Sequence, residues 1–162
     1  YRVISEILQK TLQQLGLSAQ LVPGKPRGGN QNAMSAICFS APSQYELVID
    51  GRKVAGSAQK RHGQAFLQHG SIPVEMDLEL LSKTLRTSYD DSSAESLKTV
   101  GWLNQLSGKP VAIDALEHLL ADVFAEHMQI DWLFSEPTAI ELQHAQRMIQ
   151  EKFAQPDWNL KR

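Results

Sequence analysis

The sequence holds one cysteine, Cys38, and a single thiol limits the chemistry available. It excludes an intramolecular disulfide framework and any multi-cysteine metal site, and a free thiol persists most easily in a reducing compartment. Cys38, between Ile37 and Phe39, is therefore either a small buried hydrophobe or a working nucleophile. As a nucleophile it would act as the thiolate; a thiol ionises near a pH of about 8.5, and a neighbouring cation raises the reactive fraction at neutral pH. Lys53 lies 15 residues further on, beyond a strand-like run and an Asp-Gly turn that can fold it back beside Cys38. By residue type alone a lysine next to a turn is a solvated surface charge. His69, preceding Gly70, is either a proton carrier or a hydrogen-bonded structural histidine, and His62 falls at a turn. His118, His127 and His144 have no metal-ligand spacing to another donor, so no metal site is expected.

The elements that must position these residues follow from periodicity. Val3, Ile4, Ile7, Leu8, Leu12 and Leu15 recur at three- and four-residue steps and predict a helix that stops at Gly16. Ala19 to Val22 reads as a short strand, Pro23 to Asn32 as a mobile loop, and Ala36 to Phe39 as a second apolar stretch. Tyr45 to Ile49 leads into Asp50-Gly51, a strong hairpin signal because the turn needs residues that tolerate positive φ. The returning strand is expected to run from Arg52 to Lys60. Its Ala55-Gly56-Ser57-Ala58 segment either packs beneath a helix or leaves room for a ligand against the backbone. A second hairpin is expected to turn near Arg61-His62-Gly63 and return through Ala65 to Ile72.

Helical patterns resume beyond that point. Asp77 to Leu85 is a short helix, Asp90 to Ser93 a polar stretch, and Asp114 the cap of a helix carrying Leu116, Leu119, Leu120, Val123 and Phe124. A last helix is expected to start near Pro137 and to carry Ile140, Leu142, Ala145, Met148 and Ile149. Helix, strands, then helices give an α+β class, an antiparallel sheet flanked by helices, in a single domain over residues 1–162.

Bulk properties exclude several function classes. Of the residues, 42% are hydrophobic and 21% charged, which is a globular rather than a disordered composition. A net charge of −2 supplies no basic field for nucleic acid. No run of about 18 apolar residues marks a membrane span, and the opening residues lack a signal-peptide pattern, so the expected compartment is the cytoplasm.

Three blocks go further: Cys38-Phe39-Ser40-Ala41-Pro42-Ser43-Gln44-Tyr45-Glu46-Leu47, then Asp50-Gly51-Arg52-Lys53-Val54-Ala55-Gly56-Ser57-Ala58-Gln59, then Leu67-Gln68-His69-Gly70-Ser71-Ile72. Together they resemble the biotin/lipoate A/B protein ligase family, most of all its cysteine-dependent octanoyltransferase branch. The resemblance implies a class II synthetase-like catalytic domain with an acyl slot across the sheet. It implies Cys38 as the thioester-forming nucleophile and Lys53 as the residue that holds the acyl carbonyl, with Gly56, Ser57, Ala58, His69 and Gly70 lining the substrate. Acyl carrier protein is the implied donor, and the implied acceptors are lipoyl domains of 2-oxoacid dehydrogenases or the glycine cleavage H protein. No tightly bound cofactor is expected: the octanoyl or lipoyl group is the substrate, and ATP with magnesium belongs only to the alternative of an ATP-dependent lipoate-protein ligase. Arg52, Lys60, Arg61 and Lys25 are surface cations able to meet an acidic carrier or a phosphate. Family members carry an Arg-Arg and glycine motif before the first helix. Arg27-Gly28-Gly29 follows that helix instead, so the chain reads as the C-terminal part of such a protein, and a non-catalytic carrier-binding module stands as the alternative of another class.

Overall fold

The computed structural model describes residues 1–23, 45–84 and 99–160. Cys38, Lys25, Arg27-Gly28-Gly29, the apolar stretch Ala36 to Phe39, most of the loop that begins at Pro23, and Asp90 to Ser93 lie outside the described residues. The chain divides into two compact units, Tyr1–Gln129 and Ile130–Arg162.

In the first unit, helix α1 spans Arg2–Gln14 and turns Ile7 and Leu12 fully inward. Thr11 shares that buried face because its hydroxyl donates to the Ile7 carbonyl at 2.9 Å, which leaves no orphaned polar group. Strand β1 (Gln20–Pro23) pairs antiparallel with β2 (Tyr45–Ile49), and β2 with β3 (Arg52–Lys53). Asp50 and Gly51 take φ of 49° and 74°, the two consecutive left-handed residues that a tight primed hairpin turn requires. Leu47 and Ile49 pack with Leu12, Leu17, Ala19, Val54, Ala55, Leu103 and Leu116 in one core. Each buried valine, leucine or isoleucine among them contributes about 1.5–3 kcal/mol.

The strand expected to run unbroken from Arg52 to Lys60 is two strands. Val54 and Ala55 interrupt it, because both are buried, 0% and 9% exposed, and a strand cannot turn two consecutive side chains into one core. Beyond them, among the described residues, β4 (Gly56–His62) pairs with β5 (Ala65–Ser71) alone, from Gly56 opposite Ser71 to His62 opposite Ala65. The described residues therefore form a three-stranded and a two-stranded antiparallel sheet rather than one.

Helix α2 covers Leu78–Thr84, its start held by Asp77, whose carboxylate accepts the Leu80 N–H at 2.9 Å. Helix α3 (Leu103–Ser107) buries Leu103, and its first N–H groups donate to the Pro73 and Val74 carbonyls. Helix α4 (Ile113–Met128) begins two residues earlier than expected: Ala112 occupies the cap position, and Asp114 stands inside the first turn, where its charge meets the positive end of the helix dipole. Leu116 and Val123 are buried and Leu119, Leu120 and Phe124 half-buried, as the stripe predicts.

In the second unit, helix α5 is Ala139–Met148, followed by a wider π turn at Ile149–Phe153 and a short helix α6 at Pro156–Asn159. Pro137 precedes the cap rather than opening the helix. Thr138 is the cap, in a reciprocal box with Glu141, a Thr-x-x-Glu signature present in the sequence. Phe153 and Trp158 meet edge to face at 5.6 Å, with the Lys152 ammonium 4.2 Å from the Trp158 ring centre. Ile140 and Leu142 of α5 are 68% and 57% exposed, so the apolar spacing that predicts this helix does not translate into burial. Among the described residues no helix is long and apolar enough to cross a membrane.

Candidate active site

Lys53 is the one charged side chain buried among the described residues, 7% exposed. That overturns its reading as a solvated lysine from residue type. The two-residue turn sets the cause: it places Ile49 opposite Arg52 and Val48 opposite Lys53. Side chains alternate along a strand, so Glu46, Val48 and Lys53 share the face opposite core-forming Leu47 and Ile49. The Lys53 backbone is clamped on its outer side, where its N–H donates to the Thr99 carbonyl at 2.8 Å and its carbonyl accepts from the Gly101 N–H at 2.9 Å, forming a parallel bridge with Val100. The Lys53 ammonium lies 3.4 Å from the Glu46 carboxylate, with side-chain exposures of 8% and 25%. An ammonium taken this far out of water is costly unless a carboxylate or an equivalent partner meets it.

The proposed substrate-lining residues sit on the β4–β5 ladder. Register places Ser57 opposite Gly70 and Ala58 opposite His69. Gly56 and Ser57 are half-buried, whereas Ala58, His69 and Gly70 are exposed. The Ser57 hydroxyl is 2.7 Å from the Tyr1 hydroxyl, which joins the N-terminal end of α1 to the start of β4. Gly70 has no room for a side chain: a Cβ there would stand 2.6 Å from the Gly56 carbonyl oxygen and 3.0 Å from the Ser57 Cβ. The strands thus approach closely at the positions where the sequence places its small residues. His127 contacts the Lys10 ammonium through Nδ1 at 3.0 Å, linking α4 to α1, while His62, His118 and His144 stay exposed or half-exposed on the surface. Arg52 donates to Gln105 at 2.7 Å and Arg61 to Gln59 at 3.1 Å. Among the described residues no three His, Cys, Asp or Glu side chains are grouped to hold a metal ion.

Two contributors escape a reading of single residues. Glu46 is signalled only by the register: counting back from a two-residue turn makes it the diagonal neighbour of Lys53, within reach of long side chains. The Thr99–Gly101 segment has no local signal, because it meets Lys53 from more than 40 residues away.

The comparisons with known proteins decide the family. Residues 1–125 match the lipoyl protein ligase A/B catalytic domain. The chain belongs to that family. Curated ligase-family relatives named octanoyltransferase LipM include those of Brevibacillus brevis, 34% identical, of Bacillus cereus, 35%, and of Kyrpidia tusciae, 36%. Each alignment covers 100% of this chain and 61% of the relative, so the chain spans about three fifths of these octanoyltransferases. Among solved structures, the fold is shared with a lipoate-protein ligase A bound with ATP, at a TM-score of 0.74 and 24% identity over 98% of this chain and 57% of that one. A bipartite lipoate protein ligase from Thermoplasma acidophilum, described with its E2 lipoyl domain, matches at 0.73 and 22% over 98% and 56%. These likenesses establish the α+β architecture of the ligase family for this chain.

Proposed function

We propose that the protein is an octanoyltransferase that moves an octanoyl group from acyl carrier protein to a lysine of a lipoyl carrier domain through a thioester on Cys38. The observation that carries the reading is the buried, ion-paired Lys53 within a chain aligned along its whole length with octanoyltransferases. In the first half-reaction the Cys38 thiolate attacks the octanoyl thioester carbonyl, and the carrier's pantetheine leaves as a thiolate that takes up the proton the Cys38 thiol gave up. In the second, the carrier-domain lysine amine attacks the Cys38 thioester, an amide forms, and the thiol is regenerated. Both pass through a tetrahedral oxyanion, and a fixed, poorly hydrated ammonium such as Lys53 is suited to stabilise it, because a pre-placed charge needs no reorganisation as the oxyanion forms. Gly56, Ser57, Ala58, His69 and Gly70 would border the acyl chain. The reaction as written needs no ATP, magnesium or bound cofactor, and it is one of the cytoplasm, where a thiol stays reduced.

The test is incubation of the full-length protein with octanoyl-loaded acyl carrier protein, without ATP, followed by intact mass spectrometry. A hydroxylamine-sensitive octanoyl adduct, absent from Cys38→Ser, is the expected result. An unmodified cysteine together with ATP-dependent transfer would instead establish a lipoate-protein ligase.

A further inference from the structure

The ion pair at the end of the β2–β3 hairpin carries a second assignment. A lysine side chain has four rotatable bonds, so a clamped backbone does not by itself decide where the ammonium stands. The clamp is present here: Val48 pairs with Lys53 on one side, and Thr99 and Gly101 bond its N–H and carbonyl on the other. Glu46 adds what the clamp lacks, a carboxylate 3.4 Å from Nζ, on the same face of the sheet and itself only a quarter exposed.

We propose that Glu46 is the positioning residue of Lys53: its carboxylate aims the ammonium at the acyl carbonyl and holds it there through both half-reactions. The assignment rests on the octanoyltransferase reading, because it is to that carbonyl that Lys53 is aimed. Glu46 touches no reacting atom and acts only through Lys53. Displacement of a charge-stabilising group by a fraction of its hydrogen-bond distance weakens the transition state more than the ground state, so the loss falls on kcat rather than on KM.

The experiment measures octanoyl transfer from octanoyl-acyl carrier protein to a purified lipoyl domain by full-length wild type, Glu46→Gln, Glu46→Asp and Lys53→Met, with rates normalised to the folded fraction from thermal melts. Glu46→Gln keeps the shape and removes the charge; it is expected to lower kcat by about 10- to 100-fold with KM for the donor within about twofold. Glu46→Asp keeps the charge one methylene shorter and is expected to recover part of that loss. A Glu46→Gln kcat within about twofold of wild type, while Lys53→Met loses transfer, overturns the positioning role and leaves the transferase reading standing. A loss in Glu46→Gln that disappears on normalising to folded protein also overturns it, as a purely structural effect. No turnover by wild type, or turnover indifferent to Lys53→Met, overturns the transferase reading and the assignment with it.

Discussion

Lys53 and Gly70 show how a residue's type is overruled by its place in a ladder. A lysine beside a hairpin turn should be solvated, yet the turn's length fixes its partner, the partner fixes its face, and the Thr99–Gly101 segment closes over its backbone. Gly70 is small because its opposite strand is too close for anything larger. A Gly70→Ala substitution forces a Cβ to within 2.6 Å of the Gly56 carbonyl oxygen, backbone that cannot rotate away, so β4 and β5 must shift apart. We expect a loss of about 1–3 kcal/mol in urea unfolding, the usual cost of overpacking. Wild-type stability in that variant would show that the hairpin adjusts freely.

At the scale of elements, helix α5 carries its own start signal. The Glu141 carboxylate accepts from both the hydroxyl and the N–H of Thr138 at 2.7 Å, and these two bonds hold its carboxyl below the ordinary 4.5. Because the folded value is the lower one, the capping contribution is complete above about pH 4.5 and is lost as pH falls through the depressed folded value. Helix α5 should therefore fray at its N-terminus under acid, which lower amide protection factors at Leu142 and its neighbours, each taken relative to the intrinsic exchange rate at the same pH, would report. In Glu141→Gln that acid dependence of protection should vanish; protection unchanged by pH in wild type would contradict the capping assignment. The same element shows the limit of periodicity: Ile140, Leu142, Met148 and Ile149 predict a helix correctly, but spacing describes which residues share a face and says nothing of what covers it.

Across the whole molecule, burial is uneven between the two compact units. The fully buried side chains Ile7, Leu12, Ile49, Val54, Val100 and Leu103 all belong to Tyr1–Gln129, whereas no described residue of Ile130–Leu160 is buried. Local opening free energy follows buried apolar contact, so amides in α1 and β2 should exchange only on global unfolding, and those of Ala139–Phe153 by easier local opening. Leu12→Ala should lower global stability by about 2–5 kcal/mol and accelerate exchange throughout α1 and β2. Equal protection in both units would refute this division.

Much of this protein was settled by local sequence. The Asp50-Gly51 turn, the first helix to Gly16, the hairpin around Gly63 and the blocks that carry the family likeness all depend on residues adjacent in the chain, and backbone sterics and side-chain period act at that range. Strand breaks and burial were not legible there. Val54 and Ala55 look like strand residues until a core claims both; the start of α5 at Thr138 rather than Pro137, by contrast, is written in the local Thr-x-x-Glu spacing of its capping box. The environment of Lys53 was the furthest from reach. Its burial, its Glu46 partner and its Thr99–Gly101 clamp come from register and from long-range contact, and a pairing between distant segments is selected by the free energy of the assembled core, which no single stretch of sequence contains.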